Sequence, residues 1–124
     1  MTKYLYLIFG GALGTASRYA LSSVVYRMAG IAFPYGTFAV NISGCFLLGL
    51  LAAVSDKKFL FEPDIRLFLM VGFCGAYTTF ATVILETDHL VKNGEFLRAF
   101  LNVFLSILVG YLFFRIGSLL GEAI

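Results

Sequence analysis

The chain has 124 residues, of which 60% are hydrophobic and 13% are charged, and its mean hydropathy is +0.94. Soluble domains are about half apolar and about a quarter charged, so this composition excludes an ordinary soluble domain and predicts a membrane protein. The formal net charge of +2 is too small to indicate a nucleic-acid partner.

Apolar runs predict four membrane-spanning helices in a single transmembrane domain, at residues 4–26, 34–54, 65–90 and 95–120. Each run reaches the length of about 20 residues that a helix needs to cross a bilayer. We expect no removable signal peptide, because the first run is not a short apolar segment followed by a small-residue cleavage site. Four helices can hardly enclose a polar pathway by themselves, so we expect the chain to oligomerise in the lipid bilayer.

The first span combines glycines suited to close packing with one internal charge. Gly10 and Gly14 form a G-x-x-x-G pair, which lets another backbone approach closely. Arg18 is the internal charge, and a charged group at membrane depth normally faces protein or water. We therefore expect helix packing at the glycines, and a structural or vestibule role rather than a direct pore role for Arg18.

The second span begins at Pro34, whose missing N–H suits the first turn of a helix. Thr37 and Asn41 lie one turn apart and give one helix face a small, polar character. The Asn41 amide carries N–H donors that are expensive to bury unpaired. Asn41 either bonds a neighbouring helix or faces a passing anion, and on its own it favours the first interpretation.

The third span contains the stretch Gly72–Glu86, GFCGAYTTFATVILE, in which glycines, threonines and a phenylalanine interrupt an apolar run. Glycine weakens a helix, and threonine hydroxyls can divert to nearby carbonyls. Irregular backbone at membrane depth is tolerated only where protein buries it or a watery cavity runs beside it. The stretch therefore predicts a third helix that is broken near its middle, at a site for an ion.

The fourth span carries Asn102, Ser106 and Gly110 at four-residue spacing, so these residues share one helix face. The line is either a second wall of a polar pathway or a set of small residues that eases helix packing, and the spacing favours neither. The second, third and fourth spans therefore all place hydroxyl or amide groups at membrane depth.

The positive charges do not fix one orientation in the membrane. On the side of the N-terminus they are Lys3, Lys57, Lys58, Arg66 and Arg115, and on the opposite side they are Arg27, Lys92, Arg98 and Arg18. Positive residues normally accumulate in cytoplasmic loops, and a bias of five against four is too weak to dictate one topology. We therefore expect insertion in both orientations, which would allow an antiparallel dimer.

The deep polar groups favour a small anion over a cation or a proton. Glu86 and Asp88 are expected near a helix end, so no carboxylate lies deep enough for a proton relay. Neutral N–H and O–H donors suit an anion that must shed its water, and the edge of an aromatic ring carries the positive part of its quadrupole. Phe80 lies among the threonines, where such a contact would be useful.

The sequence shows no set of side chains typical of an enzyme. It has one histidine, no nucleophile paired with a base, and no glycine-rich phosphate loop. Cys45 and Cys74 lie in apolar runs without histidine partners at ligand spacing, which is typical of small packing residues. We therefore expect neither catalysis nor a cysteine metal site.

Three ordered motifs run along the chain: GGALGTASRY at Gly10–Tyr19, GTFAVNISGCFLLG at Gly36–Gly49 and GFCGAYTTFAT at Gly72–Thr82. They resemble the motifs of the Fluc (CrcB) family of small bacterial fluoride channels, and the likeness covers essentially the whole chain. The resemblance implies an all-α, dual-topology antiparallel dimer with two fluoride pores in the cell's inner (plasma) membrane. Such a channel lets fluoride leave the cell passively and confers fluoride resistance.

The resemblance also assigns residues. The family's structural sodium ion, bound by backbone carbonyls at the break of the third span in both subunits, falls on Gly75 and Thr78. The pore asparagine falls on Asn41 and the pore phenylalanine on Phe80. Thr82 matches the polar track that follows, and the other matching pore-lining positions are Thr37, Asn102 and Ser106.

The chain departs from the family pattern at two positions. Family members usually read T-T-F-S-T-F, whereas residues 78–83 place Ala81 at the serine and Val83 at the second phenylalanine. The chain is therefore expected to form either a homodimer with an altered pore or one half of a heterodimer with a paralogous subunit. A third alternative is a dual-topology, proton-coupled exporter of the small multidrug-resistance kind. That class needs a glutamate in its first span, and this chain has none.

Overall fold

The computed structural model describes residues 1–58 and 61–124, and the side chains of Lys57 and Lys58 also lie outside the described part. Within those ranges the chain is helical and contains no β-strand. The helices are α1 (Thr2–Ala29), α2 (Tyr35–Lys58), α3 (63–77), α4 (Phe80–Lys92) and α5 (Phe96–Ala123). Lys57 and Lys58, two of the positive charges predicted on the side of the N-terminus, therefore have side chains outside the described residues.

Three segments of the described chain are long and apolar enough to cross a membrane. They are Tyr35–Asp56, Pro63–Lys92 and Phe96–Ala123. The prediction of an all-α, multi-pass membrane protein is thereby confirmed. Helix α1 also has the length of a span, with 28 residues, but it carries Lys3, Arg18 and Arg27.

Local sequence signals explain several helix ends. Pro63 is the first residue of α3, where its missing N–H breaks no helical hydrogen bond. Gly30 follows α1 with a φ of 83°, and Gly94 lies in the turn between α4 and α5 with a φ of 75°. Residues other than glycine rarely adopt such positive φ angles, so both turns depend on glycine.

Helix α3 is not uniformly α-helical. Its first turn, Pro63–Arg66, leads into a π-helical stretch, Leu67–Cys74, which a short α-helical turn, Gly75–Tyr77, completes. The π-helical stretch lies against α1. A Cβ atom at Gly10 would collide with the Phe68 carbonyl oxygen, and one at Gly14 with the Phe73 carbonyl oxygen. The interpretation of the G-x-x-x-G pair as a helix-packing motif is thereby confirmed.

Helices α2 and α5 form the most extensive helix pair in the subunit. A Cβ atom at Gly49 would collide with the Phe114 carbonyl oxygen, and one at Gly117 with the Phe46 carbonyl oxygen. The two backbones thus touch reciprocally through glycines, which is how small residues let membrane helices approach one another.

The two halves of the segment Pro63–Lys92 pack on different helices. Helix α3 lies along α1, whereas α4 lies along α5, and α2 contacts both halves. The chain crosses from one neighbour to the other at Thr78 and Thr79, between the end of α3 and the start of α4. This crossing is where the candidate site lies.

Candidate functional site

The backbone between α3 and α4 is extended for two residues. Thr78 has φ −83° and ψ 157°, and Thr79 has φ −152° and ψ 113°. At the end of α3, the carbonyl of Cys74 accepts hydrogen bonds from the Thr78 amide at 3.0 Å and from the Thr78 hydroxyl at 2.9 Å. The threonine hydroxyl thus diverts to a nearby carbonyl, as the sequence indicated for this stretch.

Asn41 on α2 binds the backbone of Thr79 in both directions. Its Nδ2 donates to the Thr79 carbonyl at 3.0 Å, and its Oδ1 accepts from the Thr79 amide at 2.7 Å. In a continuous α-helix the Thr79 N–H would donate to the carbonyl of Gly75, four residues earlier. The Asn41 side chain therefore replaces a backbone acceptor, and the interhelical hydrogen bond favoured from the sequence is present.

Thr79 also begins α4. Its Oγ1 accepts a hydrogen bond from the Thr82 amide at 3.3 Å, and the hydroxyl oxygens of Thr79 and Thr82 lie 2.9 Å apart. This is the N-cap arrangement that threonine commonly provides. In a continuous helix the Thr82 N–H would donate to the Thr78 carbonyl instead. The usual amide donors of the Gly75 and Thr78 carbonyls are thus engaged elsewhere.

The two extended residues, Thr78 and Thr79, form an interruption between α3 and α4. A cavity of about 340 Å³ lies beside this interruption, with lining residues from α2 and α5. Asn41, Phe80 and Ser106 line it together with Thr78, Thr79 and Val83, and its remaining lining is mostly apolar. The Ser106 hydroxyl oxygen is buried without a hydrogen-bond partner among the described residues. Phe80 is 76% exposed in the single chain, whereas Val83 is only 5% exposed. Three of the residues predicted for a pore therefore share one cavity.

A second, more polar cavity of about 330 Å³ adjoins α1. Thr37 and Thr82 line it, and so does Arg18, which is half-buried. The remaining lining residues are Thr15, Tyr19, Ser22, Tyr26, Thr79 and Glu86. Thr79 lines both the apolar cavity, which holds Asn41 and Phe80, and this polar cavity, which holds Thr37 and Thr82.

Glu86 belongs to the site although the sequence did not indicate it. Thr37 Oγ1 donates to Glu86 Oε1 at 2.7 Å, the Tyr26 hydroxyl donates to the same oxygen at 3.1 Å, and the two hydroxyl oxygens lie 3.3 Å apart. Glu86 Oε2 is buried without a partner among the described residues. Helix α4 ends at Lys92, close to the predicted end of the third span, so what the sequence did not indicate is the contact of Glu86 with Tyr26 and Thr37.

The position of Glu86 could have been inferred from its spacing. It follows Thr82 by four residues, so the two side chains share one face of α4. Asp88, in contrast, lies at the surface and pairs with Lys92 at 2.6 Å. A further cavity of about 500 Å³, at the end of the subunit near His89 and Arg98, shares Glu86 and Tyr26 with the polar cavity. The Glu86 carboxylate therefore lies at the boundary between the polar cavity and the cavity at the end of the subunit.

Asn102 lies apart from these cavities. It is 2% exposed, and its Nδ2 donates to Thr87 Oγ1 at 3.0 Å and to the Val83 carbonyl at 3.4 Å. It therefore joins α5 to α4. Gly110, two turns further along α5, is buried beside the Cys45 sulfur. Of the alternatives left open for the polar line of the fourth span, helix packing fits these two positions and a cavity wall fits Ser106.

The whole chain has close relatives among known proteins. A family model described as "CrcB-like protein, Camphor Resistance (CrcB)" matches residues 5–118. A protein named "Fluoride-specific ion channel FluC" from Geotalea uraniireducens is 44% identical over 124 residues, which is 100% of both chains. Proteins of the same name are 46% identical over 117 residues in Geotalea daltonii, covering 94% of each chain, and 39% identical over 124 residues in Maridesulfovibrio salexigens, covering 100% of this chain and 98% of the relative.

Proposed function

Because this chain belongs to the CrcB family, and its relatives carry the name of fluoride-specific ion channels, we propose that it is a subunit of a fluoride-selective channel. Fluoride would leave the cell through it passively, down its own gradient, and the chain would act as a channel rather than an enzyme. The observation that carries this proposal is the interruption at Thr79, which lines both the apolar cavity of Asn41 and Ser106 and the polar cavity of Thr37 and Thr82.

The side chains around the interruption suit a small anion. Asn41 supplies amide hydrogens, of which the described contacts use one at Nδ2. Phe80 supplies ring edges in the same cavity, and the Ser106 hydroxyl is buried there without a described partner. In the polar cavity the hydroxyls of Thr37 and Thr82 would continue the path. The Asn41, Phe80 and Ser106 groups can replace part of the water that fluoride sheds on entering the membrane, whereas the Thr37 hydroxyl would first have to release Glu86.

We infer that the functional unit is an antiparallel dimer of four-span, dual-topology subunits. Phe80 is 76% exposed and Gly75 is exposed in the single chain, so the site is open on a side that a partner would cover. Helix α1 would provide the fourth span, because its 28 residues pack along α3 through Gly10 and Gly14. Two such subunits would assemble two pores from both chains.

The proposed sodium site fits the backbone at the interruption. The amides that would bond the Gly75 and Thr78 carbonyls in a continuous helix donate instead to Asn41 and to Thr79 Oγ1. Carbonyl oxygens are hard ligands of the kind that bind alkali cations in membrane proteins. Sodium would supply a fixed positive charge that joins the two subunits. The carbonyls of Gly75 and Thr78 from both would hold it.

A second candidate is one half of a heterodimeric fluoride channel. Val83, at the position of the family's second pore phenylalanine, lines the cavity of Asn41 and Phe80 but is 5% exposed. A paralogous partner would then supply the missing aromatic edge. The exporter alternative has less support, because α1 contains no carboxylate.

Fluoride efflux from liposomes tests the proposal. The purified protein is reconstituted in vesicles loaded with potassium fluoride, and efflux is started by valinomycin and followed with a fluoride electrode. We expect fluoride to leave without a proton gradient, while vesicles loaded with chloride retain their anion. Efflux that appears only after a paralogous subunit is added would favour the heterodimer. Efflux of both halides, or of neither with or without a paralogue, would contradict the proposed function.

A further inference from the structure

Helix α2 holds the interruption on both sides of Thr78. Asn41 binds Thr79, the residue after Thr78, through its two backbone groups. Ser43 binds Tyr77, the residue before Thr78, through the two hydroxyl oxygens at 2.8 Å. The residue whose carbonyl is proposed to hold sodium thus lies between two residues that are tied to α2.

The direction of the Ser43–Tyr77 hydrogen bond follows from the number of protons. Ser43 Oγ lies 2.8 Å from the Ala39 carbonyl and 3.1 Å from the Val40 carbonyl, and donates to them. A serine hydroxyl has one proton and two acceptor lone pairs. Because the Ser43 proton is shared with the α2 carbonyls, the Ser43 oxygen accepts the hydrogen bond from Tyr77, and the Tyr77 hydroxyl is the donor.

The Tyr77 ring is also fixed by packing. Tyr77 is 8% exposed, and its ring stacks on Phe73 with 5.6 Å between the centroids and 11° between the planes. A Cβ atom at Gly44 would lie 3.1 Å from Tyr77 Cδ1 and would collide with the Thr78 methyl group. The ring and the Thr78 side chain therefore both lie directly on α2. Neither Ser43 nor Tyr77 lines the apolar or the polar cavity at the interruption.

We propose that Ser43 and Tyr77 are positioning residues for the sodium site. The phenol hydrogen bond fixes Tyr77, the last residue of α3, and so holds Thr78 from the helix side. Asn41 holds the peptide of the Thr78 carbonyl from the other side, because the Thr79 amide that donates to Asn41 belongs to the same peptide. Loss of the phenol hydrogen bond would leave this peptide held from one side only and weaken sodium binding, while the fluoride path stays intact. This inference rests on the proposed sodium-containing channel.

Sodium titrations of the variants Tyr77→Phe, Ser43→Ala and the double mutant test the pair. The protein is held in sodium-free buffer with N-methylglucamine, and sodium is added while thermal unfolding of the dimer, and separately fluoride efflux, are measured. Tyr77→Phe keeps the ring and removes the donor. We expect its half-saturating sodium concentration to rise about three- to tenfold, the range that one net hydrogen bond corresponds to, with full efflux restored at high sodium.

The other variants separate positioning from packing. Ser43→Ala leaves the buried Tyr77 hydroxyl unpaired, so we expect a larger shift than for Tyr77→Phe, and the double mutant should fall back to the Tyr77→Phe value. Ser43→Thr keeps the acceptor and should titrate like the wild type. Tyr4→Phe removes a phenol that is 69% exposed near the start of α1 and serves as the matched control.

Two outcomes would overturn the inference while leaving the channel in place. In one, Tyr77→Phe and Ser43→Ala titrate with sodium like the wild type. In the other, both lose efflux equally at all sodium concentrations, which is the result of a packing role alone. If Tyr77→Phe does not assemble, Ser43→Ala and Ser43→Thr still give the comparison. A wild-type protein that conducts fluoride but shows no sodium dependence would remove the sodium site and this inference with it.

Discussion

Asn41 pairs with Thr79 as one backbone strand pairs with another, accepting from its amide at 2.7 Å and donating to its carbonyl at 3.0 Å. An asparagine side chain is well suited to this task, because its carbonyl and amide lie side by side on one planar group. The arrangement holds the extended segment open and leaves an Nδ2 hydrogen for the cavity. One side chain would thus combine this structural role with the proposed conducting role.

Asn41→Asp tests that double role. An ionised carboxylate still accepts from the Thr79 amide, but it cannot donate to the Thr79 carbonyl and carries the charge of the proposed ion. We expect fluoride efflux to fall at least about tenfold, because one hydrogen bond to a buried acceptor is worth about 1–3 kcal/mol and the like charge adds repulsion. Liposome efflux per assembled dimer is the measurement. An unchanged rate would remove Asn41 from the pore.

Asn102 provides the control for this variant. It is also a buried asparagine that bonds a backbone carbonyl, at Val83, but it lies outside both cavities at the interruption. Asn102→Asp should therefore lower the unfolding temperature with a smaller effect on efflux per assembled dimer. An efflux loss as large as that of Asn41→Asp would show that the fluoride path passes Asn102, as the family resemblance implies.

Phe80→Ile tests whether the exposed ring serves the ion or the dimer interface. The isoleucine keeps most of the apolar area but has no aromatic edge, so we expect efflux to slow severalfold while dimer stability changes by less than about 1.5 kcal/mol. Efflux and dimer dissociation in detergent are measured side by side. Phe96→Ile, which alters a ring that is 67% exposed at the start of α5, is the matched control. Parallel losses in both measurements would make Phe80 a packing residue.

The Tyr26–Thr37–Glu86 cluster predicts a coupling between two substitutions. Thr37→Val removes the 2.7 Å hydrogen bond to Glu86 Oε1. A hydrogen bond to a charged group is worth about 1.5–3 kcal/mol, and one between neutral groups about 0.5–1.5 kcal/mol. We therefore expect Thr37→Val to destabilise the wild type by more than it destabilises a Glu86→Gln protein. The measurement is reversible unfolding of the wild type, Thr37→Val, Glu86→Gln and the double mutant. An equal loss of unfolding free energy from Thr37→Val in both backgrounds would contradict a charge-assisted hydrogen bond to Glu86.

Much of the architecture was readable from the sequence because membrane helices leave strong signals. Apolar runs gave the helices to within a few residues, and Gly10 and Gly14 were identified as packing residues from their spacing alone. Asn41 was also identified, since an amide in an apolar run needs a partner. That partner, the Thr79 backbone, could not be predicted, because pairing depends on how far α2 and α4 are rotated about their axes.

The other features that the sequence did not indicate have the same physical origin. Glu86 was placed near a helix end by counting along the chain, yet what decides its surroundings is the presence of Tyr26 and Thr37 on neighbouring helices. Asn102 and Ser106 share a helix face by periodicity, but α4 covers the first and leaves the second beside a cavity. Periodicity gives the face of one helix and does not show what covers each position on that face.

The seam between α2 and α5 gives the last prediction. A Cβ atom at Gly117 would collide with the Phe46 carbonyl oxygen and lie 3.0 Å from the Leu50 amide nitrogen. Backbone atoms cannot move aside as a flexible side chain can, so Gly117→Ala should force the helices apart. We expect destabilisation of about 1–3 kcal/mol, as for other overpacked sites, measured by unfolding of the subunit in detergent.

Gly11→Ala is the matched control for the seam, because no heavy atom lies within 4 Å of the position its Cβ would take. In the middle of α1 the alanine should be neutral or should stabilise the helix by about 0.5–1 kcal/mol, since glycine loses more backbone entropy on ordering. If Gly117→Ala lowers the free energy of unfolding and Gly11→Ala raises it, contact between α2 and α5, rather than helix propensity, sets the requirement for glycine at position 117. If Gly117→Ala were as stable as Gly11→Ala, the close approach of α2 and α5 would be wrong.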